Sequence, residues 1–212
     1  MSTIEFPAEL SAKGKIIRAA EQLFAEKGME ATSLREIAQL AQQKNTNAVQ
    51  YHFGGKAGLI KAIWQRHASD IQTRRQTLLD EVDLEDSPSL KILVTAVILP
   101  VAEKLSDADG GRHYIQIMSH LISYAESSLL ELFEATPDPT TTDLLVAMGP
   151  HINHLSDSDK RARMLFVAGV LFHSLADYIR LSGKASPLTD QLKESDVIGN
   201  LISMLTAAIS CE

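Results

Sequence analysis

QQKNTNAVQYHFGGK, residues 42–56, is dense in amides and cations and closes on aromatic residues, a Gly pair and Lys56. Thr46 or Asn47 can cap a short helix running to about Phe53, and Gly54-Gly55 supplies its left-handed stop. Upstream, Ser33 and Glu36 stand at capping-box spacing, where hydroxyl and carboxylate each satisfy a free amide at a helix start. Leu34, Ile37, Ala38 and Ala41 form the buried face of that helix. Further upstream, Ser11 caps a first helix with Ile16, Ile17, Ala20, Leu23 and Phe24 at three-to-four spacing and Gly28 as its stop. Downstream, Lys56 opens a longer helix to about Leu79.

Two short helices joined by a tight break, with a third as the back wall, form a helix-turn-helix pattern. A helix fits the major groove of B-DNA, where Asn and Gln offer paired donor and acceptor atoms to adenine and Lys reaches guanine acceptors. Tyr51 and His52 carry donors for phosphate oxygens, and Lys56 can clamp the backbone as a point charge. The charge distribution agrees. The chain of 212 residues has a formal net charge of −7, but residues 1–70 hold nine Lys/Arg and seven Asp/Glu (9 − 7 = +2) against eleven and twenty in the remainder (11 − 20 = −9).

The single cysteine, Cys211, excludes a disulfide within one chain and a thiolate metal cluster, which fits a reducing cytoplasm. MSTIEFPAEL has acids where a signal peptide has a basic region, and the aliphatic run Ile92 to Ala102 is far short of the roughly 20 residues of a bilayer span. The expectation is a soluble cytoplasmic protein without a membrane partner. Helical periodicity continues at about 88–106, 110–124, 127–135, 142–154, 157–182 and 189–210, with breaks at Asp109-Gly110-Gly111 and Pro137-Asp138-Pro139. Strand alternation is missing, so the predicted fold class is all-α.

Enzyme chemistry finds no support: there is no Gly-rich phosphate loop, no HExxH and no nucleophile elbow. His151 and His154 lack the third ligand zinc demands, so no metal and no cofactor is assigned. His173 and Asp177, four apart on one helix, read as a hydrogen-bonded pair. The run Met164 to Phe172 is apolar around nearly the whole helix, which calls for a second partner surface. Leu165, Ala168, Phe172 and Leu175 on this helix, with Val197, Leu201 and Leu205 on the last one, predict a four-helix homodimer interface. The remaining alternative is a helical adaptor that uses this surface for a different protein.

AEKGMEATSLREIAQLA (25–41), AVQYHFGGK (48–56) and GLIKAI (58–63) together resemble the tetracycline-repressor family of bacterial transcriptional regulators. The resemblance is specific over about the first 65 residues. It implies a three-helix DNA-binding head over residues 1–55 and a larger helical effector-binding and dimerisation domain over 56–212. It further implies DNA contacts from Lys44, Asn45, Thr46, Asn47, Gln50, Tyr51, His52 and Lys56, with Thr32 and Ser33 presenting a hydroxyl and a helix start to a phosphate. The chain departs from the family pattern in having Gln50 where Tyr is usual and one extra residue between Ala41 and His52. The partners implied are duplex DNA with a palindromic operator, a second copy of the chain and a small-molecule effector. A pocket for a largely apolar effector is expected around Trp64, His67, His113, Ile117, Met118, Leu121 and Tyr124. Release from DNA by that molecule makes the chain a ligand-responsive repressor.

Overall fold

A computed structural model describes residues 6–7, 9–45, 47–82, 88–123, 138–182 and 192–211. Helix α1, Ala12–Lys27, begins where the Ser11 hydroxyl accepts from the Gly14 amide, and buries Ile16, Ala19, Ala20, Leu23 and Phe24. Helix α2, Leu34–Leu40, starts from the expected capping box: Glu36 accepts from the Ser33 amide at 2.8 Å while its own amide donates to the Ser33 hydroxyl at 3.2 Å. These bonds, with Lys27 beside it, lower the Glu36 pKa from its usual 4.5 to about 2. The helix ends in a Schellman turn, with Gln43 N–H on the Ala38 carbonyl and Gln42 N–H on that of Gln39. Gln42 occupies the left-handed position of this turn, at φ 56°.

Helix α3, Ala48–Phe53, stops at Gly54, and helix α4, Lys56–Asp80, follows at once. The cap expected from Asn47 is not made. The Asn45 side chain instead accepts the Asn47 amide at 2.9 Å, a local turn that competes with capping by the later residue, while Thr46 lies outside the described residues. The close α3–α4 junction depends on Gly58, because a Cβ there would stand 1.7 Å from the Phe53 carbonyl oxygen.

The body continues with α5 (Leu90–Ala102, then a 3₁₀ turn Glu103–Leu105), α6 (Gly111–Ser123), α7 (Pro139–Met148, then a 3₁₀ turn Gly149–Ile152), α8 (Asp157–Ser182) and α9 (Glu194–Ser210). No strand occurs among the described residues. Proline at 139 begins α7, since its missing N–H is harmless at a helix start. The helix expected at 127–135 and the expected start of the last helix at 189 fall outside the described residues. Helix α6 packs on α1 and α8, and α5 packs on α4, α7 and α9.

Pro100 sits inside α5 and cannot donate to the carbonyl of Ala96. The Arg75 Nε of α4 takes that carbonyl at 3.2 Å, and the same buried guanidinium pairs with Asp138, the N-cap of α7, and with the Thr141 hydroxyl at 2.8 Å. One side chain thus joins three helices.

The head meets the body through a buried polar cluster. Glu21 of α1, 1% exposed, accepts from Arg66 at 2.7 Å and lies 3.1 Å from His67 Nε2. Arg66 also reaches Asp109 at 2.6 Å, and Asp109 pairs with Arg18 of α1. Gly110, at φ 89°, permits this approach: a Cβ there would lie 2.9 Å from Glu21 Oε2.

Two substitutions should move stability in opposite directions. Gly58→Ala should cost about 1–3 kcal/mol by forcing α3 and α4 apart, whereas Gln42→Gly should gain about 0.5–1 kcal/mol by relieving the left-handed residue. Thermal melts of the full chain would check both signs.

Candidate functional site

Helix α3 buries only Val49 completely and leaves its polar residues outside. Lys44, Asn45, Asn47, Gln50, Tyr51 and His52 are all exposed, with Tyr51 at 85%. Phe53 is partly buried against the core, and Lys13 of α1 stands 5.6 Å from its ring centroid. The hydrophobic side of α3 therefore anchors it while a continuous polar side faces away. The Tyr51 ring buries little in the single chain and meets its neighbour His52 edge-on, centroids 5.1 Å apart.

Two amides in this surface are partly engaged already. Asn45 has its oxygen on the Asn47 amide, leaving its NH₂ donors, and Gln50 has its NH₂ on the Gly54 carbonyl at 3.2 Å, leaving its oxygen. Adenine needs a donor and an acceptor from one side chain, so bidentate reading by either requires its local bond to open.

Two expected phosphate groups have other partners. The Thr32 hydroxyl is buried and donates to the carbonyls of Gly28 at 2.8 Å and Leu23 at 3.2 Å, so it is not presented to phosphate. It satisfies the Gly28 carbonyl just past the end of α1 and adds a second donor to that of Leu23. Lys56 Nζ likewise donates to the carbonyls of Met29 at 2.7 Å and Glu30 at 3.3 Å, bracing the α1–α2 turn against the start of α4. Ser33 is exposed, with its hydroxyl directed to Glu36. Arg35, exposed in the first turn of α2, and Lys13 are further exposed cations of the head that no motif marks. Their only signal in sequence was position on the outer side of helices in the head.

The residues expected to line an apolar pocket are divided. Ile117, Met118 and Leu121 have 0–1% exposure and pack in the core, because α6 is covered by α1 on one side and α8 on another. His67 is buried against Glu21, its ring 4.6 Å from that of Tyr114, and Trp64 lies 6.2 Å from the same ring. Tyr124 lies outside the described residues. His113 is half-buried and borders a cleft between α1 and the start of α6, and burial lowers its pKa.

The predicted dimer residues are divided as well. Phe172, Leu175, Leu201 and Leu205 are 0–5% exposed within the single chain, where α8 packs on α6 and α9 packs on α5. Within the single chain these four side chains are already covered. Ala168 and Val197 are partly buried, and Leu165 remains open at 62%. Beside it stand Phe166 at 64% and, on α9, Met204 at 60%. Asp177 pairs with Arg180 rather than His173, since the guanidinium is the stronger partner and lies one turn on. His151 meets the Pro88 carbonyl at 2.9 Å, and no group of three metal-ligating side chains occurs among the described residues.

Lys56→Ala should lower the melting temperature by several degrees because two backbone carbonyls lose their donor, at about 1–2 kcal/mol. Tyr51→Ala should leave it unchanged. Thermal melts in the absence of DNA would separate a brace from a surface residue.

The family model described as bacterial regulatory proteins, tetR family, matches residues 16–63, and that of the tetracyclin repressor-like C-terminal domain matches residues 95–208. The chain is 45% identical over 55 residues to the probable HTH-type transcriptional regulator YttP of Bacillus subtilis (strain 168), a match spanning 26% of each protein. Among solved structures, the TetR family transcriptional regulator PfmR from Thermus thermophilus shares 17% identity and a TM-score of 0.54, covering 95% of this chain and 98% of that one. A protein described as superantigen PfiT shares 16% identity and the same TM-score, covering 94% and 97%. At these identities the structural likeness establishes the fold alone. The two family models cover the head and most of the body, and this chain belongs to the tetracycline-repressor family of bacterial transcriptional regulators.

Proposed function

We propose that the chain is a cytoplasmic homodimeric repressor that binds a palindromic operator through residues 1–55 and is released by a small, largely apolar molecule held by residues 56–212. The observation that carries the DNA-binding reading is Tyr51, 85% exposed on a helix whose other outward residues are amides and an imidazole. In this reading Gln50, Asn45 and Asn47 meet base edges. Lys44, Tyr51, His52, Ser33 and Arg35 meet phosphates, and Lys56 sets the angle of α3 against α4.

Support for the dimer comes from α8. It is long and apolar enough to cross a membrane by length and composition, yet it carries Asp157 and Asp159 in its first turn and packs on α6. Only 22% of its apolar stretch is buried in the single chain. Two copies related by a two-fold axis would cover Leu165, Phe166, Val170 and Met204 together. The effector reading rests on α4, which runs from the head at Lys56 past Trp64 and His67 into the body. A molecule that parts Trp64 from the Ile117, Met118 and Leu121 side of α6 would tilt α4 and change the spacing of two heads on one operator.

Selection of bound duplexes from a random pool should enrich a palindrome. Lys44→Ala or Arg35→Ala should then weaken all sequences alike and lower the salt slope by about 1, whereas Gln50→Ala should cost about 1–3 kcal/mol and relax preference at one position. Failure to enrich any site would overturn the reading.

Light scattering should give twice the chain mass. Phe166→Glu should halve it with the melt of the single chain retained, because this side chain is exposed before association. Leu201→Glu, by contrast, should unfold the protein. An unchanged mass for folded Phe166→Glu would place the interface elsewhere.

A further inference from the structure

A cleft of about 530 Å³ lies where the head meets the body. One wall is α1, with Arg18, Glu21 and Gln22, and the other is the turn before α6 and its first residues, with Asp107, Arg112 and His113. The carboxylates in these walls are already satisfied. Glu21 is held by Arg66 and His67, and Asp107 accepts from Lys104 at 2.9 Å and from the Asp109 amide at 2.8 Å.

The donors keep free capacity toward the cleft. Arg112 is exposed and uses Nε on the Leu105 carbonyl at 2.8 Å, and among the described residues its two terminal nitrogens have no partner. Among the same residues the His113 imidazole makes no hydrogen bond, and Arg18 engages one nitrogen, on Asp109. Burial favours the neutral form of His113, which leaves it a ring N–H to give rather than a charge. Asp109 shows the chemistry this wall accepts: its carboxylate, 57% exposed, is gripped by Arg18 and Arg66 together. The volume is that of a metabolite rather than a bare ion.

We propose that this cleft binds a small organic oxyanion, carrying a carboxylate or phosphate group, with Arg112 as its direct charged partner and α1 and α6 as its two walls. An occupant touching both walls favours the present arrangement of head and body over any other. Its affinity is then linked to that of the operator. The binding itself is independent of the DNA-binding reading, and only its effect on the operator rests on that reading.

Calorimetry of the full chain with succinate, and separately with inorganic phosphate, at ionic strength held constant with sodium chloride, tests the site and tells the two anion classes apart. Saturable binding of one equivalent of either probe per chain is expected, weakened at least tenfold in Arg112→Ala and in Gln22→Trp, which fills the cleft without removing a cation. Gln22→Trp should melt as the parent does without anion, and Arg112→Ala, which loses the donor to the Leu105 carbonyl, should stay folded with a slightly lower melt. Saturable binding by neither probe, or equal affinity in Arg112→Ala, would overturn the site.

With the selected operator, the bound probe should change DNA affinity about 5-fold or more in the parent and leave Arg112→Ala unaffected. Binding without any change in operator affinity would overturn the bridging role. Failure of every form to bind DNA, with or without probe, would strike at the DNA-binding reading while leaving the anion site standing.

Discussion

Glu21 is a carboxylate in the body of an amphipathic helix, and in the folded chain it is 1% exposed. An unpaired charge at that depth costs several kcal/mol, so the arrangement of α1, α4 and α6 is held to one that supplies it with partners. Arg66 and His67, adjacent on α4, both point at it, and Asp109 at the turn before α6 completes the cluster by holding Arg66 and Arg18. The apolar contacts around Ile16, Ala20 and Phe24 are non-directional. The ionic cluster is directional. It fixes the head at one orientation on the body, and any movement of α4 must be accommodated by these same side chains.

A comparable constraint shapes the other end of α4. Pro100 leaves the Ala96 carbonyl without its helical donor in a buried place, and Arg75 supplies one while also holding Asp138 and Thr141. Burial works to lower the Arg75 pKa and the Asp138 carboxylate opposes it. The consequence for function is mechanical. Helix α4 is held near its start by Lys56, in its middle by the Glu21 cluster and towards its end by Arg75. With one end beside α3 and the other in the body, it is the element through which the proposed effector would act on the head.

Membership in a family of regulators answers the enzyme alternative, and the exposed apolar side of α8 accounts for what composition left open. The run Met164 to Phe172 has apolar residues all round, and both sides find uses: Val167, Leu171 and Phe172 face α6 and the core, while Leu165, Phe166 and Val170 remain open. Choosing which side faces outward was beyond the periodicity of the sequence. All the candidate residues are apolar at helical spacing, and only the position of α6 sorts them.

The sequence by itself determined the helices, most of their ends and the polar side of α3. Capping boxes, glycine stops and three-to-four spacing act within a few residues, and Ser11, Ser33, Gly28 and Gly54 did their work where local chemistry placed them. It also determined the family, through a run of motifs in fixed register. Partner choice for long polar side chains was decided only by the tertiary structure. Thr32 and Lys56 looked free for phosphate, but each bonds backbone carbonyls around the end of α1, those bonded by Lys56 being 27 and 26 residues away from it along the chain. His67 looked like a pocket residue and became the partner of a buried carboxylate 46 residues distant. Ile117, Met118 and Leu121 became core because α1 and α8 close over α6 from distant parts of the chain. A helix can be read from its neighbours in sequence, but the burial of its side chains and the groups they bond are set by elements that meet only after folding.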